Sequence, residues 1–207
     1  MIRLLITTGR GPAECRIAAA HTLAAMACEA EAAGLAFDAV TGPDPDGHGP
    51  FSAIALISGA GDETFAKSWA GSIQWICESP VRPLHKRKNW FIGVMELPAA
   101  LTQPAPLDPG EVRFEAFRAG GPGGQHQNKT ESAVRAVHVP SGLAAVTRDG
   151  RSQHRNKAIA LERLATLLKL SSDLAAISEQ RDVHANHDRL VRGNPIRRFK
   201  GKSFAPV

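Results

Sequence analysis

Short stretches of alternating or continuous apolar residues occur at Ile2–Thr7, Leu35–Val40, Phe51–Ser58, Ser72–Glu78 and Asn89–Leu97, most of them bounded by glycine or proline. Each is predicted to be a strand, because period-two patterning suits a pleated, half-buried ribbon. Ala13–Ala33 instead repeats small and apolar residues at helical spacing and closes at Gly34, with Ile17, Ala20, Ala24 and Ala27 read as its core stripe. Asp62 is placed to cap a short helix reaching Trp69. Residues 98–110 hold Pro98, Pro104, Pro106 and Pro109 and no long apolar run, so they read as a linker. Beyond it, Glu111–Arg118, Ala133–Val139 and Leu143–Thr147 read as strands, the last two joined across Pro140-Ser141-Gly142. A helix over Ser152–Leu170 with a stripe of Leu161, Leu164, Ala165 and Leu168, and a second helix over about Asp173–Asn186, complete the pattern. The expected fold class is α+β in two small domains, an antiparallel-leaning sheet with helices followed by a smaller unit.

Composition adds a size and a charge to this outline. A chain of 207 residues, 43% apolar and 22% charged, buries a proper core as one large or two small domains. The net charge is +5, and residues 181–207 alone carry seven Lys/Arg against two acids. Clustered cations beside other basic loops favour a polyanionic partner over a merely solvated face. Cys15, Cys28 and Cys77 lie far apart with no Cys-x-x-Cys pair, which points to buried thiols in a reducing compartment and no zinc site. His184 and His187 share a helical face but lack a third ligand, so no metal is expected. The apolar run Ile2–Ile6 is too short for a signal peptide or a membrane span. A cytoplasmic protein without cofactor or membrane partner is expected.

The chemistry concentrates in residues 118–130, where Gly120, Gly121, Gly123 and Gly124 surround Pro122 and precede Gln125. Glycines admit close approaches that any Cβ forbids, so this loop is shaped to push bare main chain into a crowded place. A phosphate-binding P-loop requires Gly-Lys-Ser/Thr at a fixed spacing, and a dinucleotide fingerprint requires a last glycine that is absent here. His126, His138 and His154 have no Ser and Asp partners in a triad pattern. The flanking Arg118, His126, Asn128, Lys129 and Arg135 suit phosphate contacts, which makes RNA the simplest partner. Arg151, His154, Arg155 and Lys157 cluster at the start of the long helix, where positive charge opposes the macrodipole by roughly 0.3–1 kcal/mol each. An RNA phosphate accounts for such a placement. Lys86, Arg87 and Lys88 form another cationic group, and Trp90 beside them reads as core, with base stacking as the alternative. Arg197, Arg198 and Lys200 extend the basic tail.

Gly123-Gly124-Gln125, set between Arg118 and Arg135 and followed by Arg151-Ser-Gln-His-Arg-Asn-Lys157, resembles the peptidyl-tRNA hydrolysis domain of class I bacterial peptide chain release factors. Ser79-Pro-Val-Arg-Pro-Leu-His-Lys-Arg-Lys-Asn-Trp90 and Arg192-Gly-Asn-Pro-Ile-Arg-Arg-Phe-Lys-Gly201 are most similar to the shorter branch called release factor H. The resemblance implies that Gly123, Gly124 and Gln125 carry catalysis, with the Gln125 N–H as donor to the reacting oxygen and its amide selecting water. It implies the ribosome and peptidyl-tRNA as partners, an RNA ligase in the same repair pathway, a glutamine methyltransferase, and inactivity of the isolated protein. In that fold the chain returns to the first sheet, so Pro195–Phe204 is expected as the returning strand. The domains are then 1–97 with about 190–207, and 111–186. The codon-reading tripeptide of the codon-specific factors is only partly echoed by Ser79-Pro80-Val81, and Lys86-Arg-Lys-Asn89 replaces their second recognition run. Rescue of stalled or damaged ribosomes is therefore the expectation. Stop-codon-dependent termination and a non-catalytic RNA-binding module are the alternatives.

Overall fold

The computed structural model describes residues 1–98, 107–118, 132–148, 152–179 and 194–207. It divides into two compact units, Met1–Leu101 with Ser171–Val207, and Thr102–Leu170. In the first, β1 (Ile2–Thr7), β2 (Ala36–Thr41), β3 (Ser52–Ser58), β4 (Gly71–Ile76), β5 (Asn89–Leu97), β9 (Arg197–Lys200) and β10 (Ala205–Pro206) form one sheet in the order β10-β9-β4-β5-β1-β3-β2. Every pairing is antiparallel except β4 with β9. Ile73 faces Arg197 and Trp75 faces Phe199 in that parallel ladder. Parallel neighbours need a long connection, and here the chain between β4 and β9 includes the whole of the second unit.

Alternation sets the faces of this sheet. Leu4 and Ile6, Ala53 and Ile57, Ile73 and Trp75, and Trp90, Ile92 and Val94 enter one core with α1 (Ala13–Ala32) and α2 (Asp62–Trp69). Trp75 donates from its indole to the Gly201 carbonyl at 2.8 Å, and Phe199 stacks on Phe204, so the C-terminal strand is bound to the core by rings as well as by its ladder. Gly61, at φ 94°, precedes α2, and Asp62 is the helix's first residue rather than its cap.

The phase of α1 differs from the expected one. Cys15, Ala18, Ala19, Thr22, Met26 and Ala30 are buried, whereas Ala20 and Ala24 are exposed. Alanines occupy both sides of this helix, so its hydrophobic contrast is nearly flat and its neighbours decide the rotation. Cys28 is exposed, contrary to the expectation of three buried thiols.

The second unit carries β6 (Val112–Phe117), β7 (Ala133–His138) and β8 (Ala144–Thr147) as an antiparallel sheet. The β7–β8 connection turns through Gly142 at φ 72°, a conformation that favours glycine, and Gly142 N–H donates to the His138 carbonyl at 2.8 Å. A single helix, α3 (Gln153–Glu179), replaces the two helices expected on either side of Ser171-Ser172. Serines break a helix only when their side chains draw the backbone into another turn, and here the run continues. Asn156, Ala160, Leu164, Leu167 and Leu170 are its buried residues in this unit, while Leu161, Ala165 and Leu168 are only partly covered. Among the described residues, no helix is long and apolar enough to cross a membrane, and no group of three or more His, Cys, Asp or Glu is placed to hold a metal ion.

Candidate nucleic-acid interface

In the second unit, β6 and β7 are in register up to the pair Phe117↔Ala133, so residues 118–132 leave from and return to adjacent positions of one ladder. Gly123, Gly124, Gln125, His126, Asn128, Lys129 and Arg151 lie outside the described residues, as do His184 and His187. Arg118 is exposed just beyond the end of β6. Arg135 is exposed opposite Glu115, at 3.9 Å, and Glu115 also pairs with Arg113 at 3.0 Å. That surface therefore carries two guanidinium groups around one carboxylate and keeps an excess of positive charge. Lys157 projects over the Phe114 ring, its Nζ 4.1 Å from the centroid, and the ring holds the ammonium by its quadrupole. His154 and Arg155 are exposed in the first turn of α3. His138 is engaged with the Ser141 hydroxyl at 2.8 Å and Glu111 at 3.2 Å, as a latch of the hairpin.

Asn156 is the residue that sequence reasoning overlooked. It is fully buried, and its Nδ2 donates to the Ser132 carbonyl at 2.7 Å. The bond ties α3 to the residue just before β7, where the chain re-enters the sheet after the glycine-rich segment. A signal existed: Asn156, Ala160 and Leu164 recur at four-residue spacing on one face, and a polar residue in an apolar stripe must find a partner.

In the first unit, the loop between β4 and β5 is closed at its base by Cys77 N–H to the Lys88 carbonyl at 2.8 Å and by the Trp90 indole to the Cys77 carbonyl at 2.9 Å. Its near side is pinned to Glu14, a fully buried carboxylate in the first turn of α1. Arg82 grips both oxygens of Glu14, Nε to Oε1 at 2.8 Å and Nη2 to Oε2 at 2.9 Å, and the Ser79 hydroxyl bonds Oε1. The same Ser79 oxygen accepts from the Arg82 amide at 2.8 Å and from the Val81 amide at 3.2 Å. Burial alone pushes the Glu14 carboxyl up, but the hydrogen bonds from Arg82 and Ser79 outweigh it and hold the group below its ordinary range. Bidentate pairing and the positive end of α1 together keep the charge.

Ser79, the residue that partly echoes a codon-reading tripeptide, thus serves as a loop fastener here. Trp90 is fully buried, which removes base stacking as its role. Arg82 and Arg87 cover its ring, with Cζ at 5.7 and 5.0 Å from a ring centroid. Arg87 also donates from Nε to the Asn89 carbonyl at 2.8 Å, and Lys88 pairs with Glu78 at 2.9 Å. Lys86 is exposed.

Arg198 and Lys200 are exposed on β9. Arg197 departs from the expectation of an RNA contact. Its Nη1 lies 2.7 Å from Glu29 Oε1, its Nε and Nη2 reach the Ser68 carbonyl and hydroxyl at 3.0 and 3.1 Å, and its Cζ sits 3.8 Å over Trp69. Those donors are committed to α1 and α2, so Arg197 is a brace for the returning strand.

These features define a mixed α+β protein that presents a glycine-rich segment from a small sheet and a cationic loop from a larger one. A model of the RF-1 domain matches residues 102–203. The peptide chain release factor homolog of Escherichia coli is 39% identical over 208 residues, covering 99% of this chain and 98% of that one. Peptide chain release factor 1 of Delftia acidovorans is 56% identical over 68 residues, 33% of this chain and 19% of its own length. Peptide chain release factor 2 of Haemophilus ducreyi is 30% identical over 171 residues, 82% of this chain and 47% of its own. The chain thus spans less than half the length of the last two relatives. RF2 of Thermus thermophilus, a solved structure, matches with a TM-score of 0.46 at 29% identity, over 96% of this chain and 57% of that one. The chain belongs to the class I peptide chain release factor family. Release-factor function comes with that membership, since the family acts on the ribosome in protein biosynthesis.

Proposed function

We propose that this chain promotes hydrolysis of the peptidyl-tRNA ester through Gly123, Gly124 and Gln125, on ribosomes that are stalled or damaged at the decoding site, independently of a stop codon. The observation that carries the reading is a Gly-Gly-Gln run at 123–125 in a chain that aligns end to end with a release factor homolog. In the reaction, water adds to the ester carbonyl carbon, the bond to the ribose oxygen breaks, one proton of the water passes to that oxygen and the other is released to solvent as the peptide leaves as a carboxylate. The Gln125 N–H donates to the oxygen that gains charge, a role that needs a bare backbone on its approach side, as Gly123 and Gly124 provide. The Gln125 amide, which never ionises at working pH, selects water as the nucleophile. The paired ends of residues 118–132 and the Asn156 bond to Ser132 support a loop delivered from a fixed base.

The ribosome supplies the remainder of the active site, so the isolated cytoplasmic protein is inert toward peptidyl-tRNA. Arg118, His126, Asn128, Lys129, Arg135, Arg151, His154, Arg155 and Lys157 grip RNA near the reaction, and Lys86, Arg87, Lys88, Arg198 and Lys200 do so from the other unit. An RNA ligase that repairs the damaged strand and a glutamine methyltransferase acting on Gln125 are the further partners. The test is peptide release from ribosomes with an intact, an empty or a nicked decoding site, using the natural chain and Gln125→Ala. Release from nicked or empty ribosomes that vanishes in Gln125→Ala, with binding retained, is expected. Release that requires an intact site and a stop codon would instead favour ordinary termination, and binding without any release would favour an RNA-binding module.

A further inference from the structure

Leu84 stands at the apex of the β4–β5 loop, fully exposed at 101% and with φ at 59°. It occupies the third position of a turn over Arg82-Pro83-Leu84-His85, closed by His85 N–H to the Arg82 carbonyl at 3.3 Å. Proline is favoured at the second place of such a turn, but a positive φ at the third normally calls for glycine, because a Cβ there is strained. A leucine in this position is doubly unfavourable in the free protein, by its backbone and by its exposed side chain. The residues around it are fixed. Arg82 is locked to buried Glu14, the His85 ring lies 5.8 Å from Trp90, and Arg87 covers the same indole. Lys86 and Arg87 leave net positive charge beside the apex, since Arg82 is paired with Glu14 and Lys88 with Glu78.

We propose that Leu84 is an apolar wedge that packs against an exposed base of RNA while the neighbouring cations hold the flanking phosphates. A hydrophobic protein partner would not account for the net positive charge that Lys86 and Arg87 leave beside the apex, whereas RNA offers both an unstacked base face and phosphates on either side of it. The proposal rests on the reading of this loop as a ribosome contact. It adds a shape-dependent, charge-independent element to recognition: rearranged or broken RNA exposes base faces that an intact stack hides.

The test uses the full chain with Leu84→Gly and Leu84→Phe, measuring affinity for purified ribosomes with nicked and intact decoding-site RNA over a range of salt. Leu84→Gly relieves the turn, so its thermal midpoint should equal or exceed that of the natural chain, while affinity for nicked ribosomes falls about tenfold. The dependence on salt should stay parallel to that of the natural chain, since no phosphate contact is lost. Leu84→Phe should restore most of the affinity. A photoreactive leucine analogue at position 84 should crosslink to ribosomal RNA. Unchanged affinity in Leu84→Gly overturns the proposal, as does crosslinking to ribosomal protein alone or an affinity loss that tracks a lowered thermal midpoint and is not rescued by Phe. Peptide release is assayed on the same samples with the natural chain. Its absence there would sink the release reading while leaving the binding result for Leu84 to stand or fall separately.

Discussion

In the second unit, residues 118–132 depart from and return to one strand pair, and among the described residues the buried amide of Asn156 fastens the returning end. In the first unit, the loop between β4 and β5 is held along its length, by a buried carboxylate under Ser79 and Arg82 and by two guanidinium groups over Trp90. The difference follows from what each must offer. The glycines of the segment proposed to work with its backbone N–H bring no side chains for anchorage, and the fastening seen among the described residues lies at its end, on Ser132. A loop that works with side chains can spend some of them on anchorage. Arg82 and Arg87 do so, and Lys86 and Leu84 project from the frame they make.

The largest expected effect lies at a glycine, which has no side chain of its own to lose. Gly124→Ala should lower the rate of peptide release at saturating ribosomes about 100-fold or more, the scale of removing one oxyanion donor. The thermal midpoint should stay within a degree or two of the natural chain, the usual result of a one-methyl change away from a core. Release near the natural rate would remove this loop from catalysis.

Next comes the charge of the other loop. Substituting Lys86, Arg87 and Lys88 by Gln should weaken ribosome binding and reduce the log–log salt slope by up to about 2.7, three phosphate contacts at most. Because Arg87 and Lys88 have internal partners in Asn89 and Glu78, a smaller loss would mean that Lys86 carries the grip and the other two hold the loop. A slope that does not move would make this cluster a solvated face and nothing more.

Asn156→Ala tests anchorage at the ends. It leaves the Ser132 carbonyl without its buried donor, so stability should fall by about 1–3 kcal/mol. Release should fall more than ribosome affinity, because the phosphate contacts are retained. Equal losses in both would show that Asn156 serves only the fold of the unit.

The strands were legible in the sequence because period-two alternation bounded by glycine and proline is a strong local signal, and β5 runs over Asn89–Leu97 as expected. The rotation of α1 was not, since alanines face both ways and nothing in the local pattern marks Glu14 as buried. Arg197 shows the same limit from the other side: an arginine in a basic tail reads as a phosphate contact until Glu29, Ser68 and Trp69 are brought around it. Glu14, Asn156 and Arg197 are all paired over long sequence separations, and that pairing exists only in three dimensions. The glycine-rich segment is read differently, from residue types at fixed spacing in the sequence.

The smallest expected effect concerns the anchor beneath the basic loop and is read through pH. Glu14 has its carboxyl held below the ordinary 4.5 by Arg82 and Ser79 against the opposing effect of burial. A group whose folded value is depressed contributes stability that is full above its unfolded value and is lost as pH falls through the folded one. Glu14→Gln keeps the shape but not the charge, and should cost about 2 kcal/mol at neutral pH, the worth of hydrogen bonds to a charged group. The stability gap between the natural chain and Glu14→Gln should therefore be constant above about pH 5 and shrink as pH drops below 4.5. Asp46 and Glu78 are also held low by Arg16 and Lys88, and would contribute to acid unfolding of either chain. Their contributions cancel in the difference, which isolates Glu14. A gap that does not change between pH 7 and pH 3 would mean that the carboxylate is not the charge that fastens the loop, and that Ser79 with the Trp90 stack holds it alone.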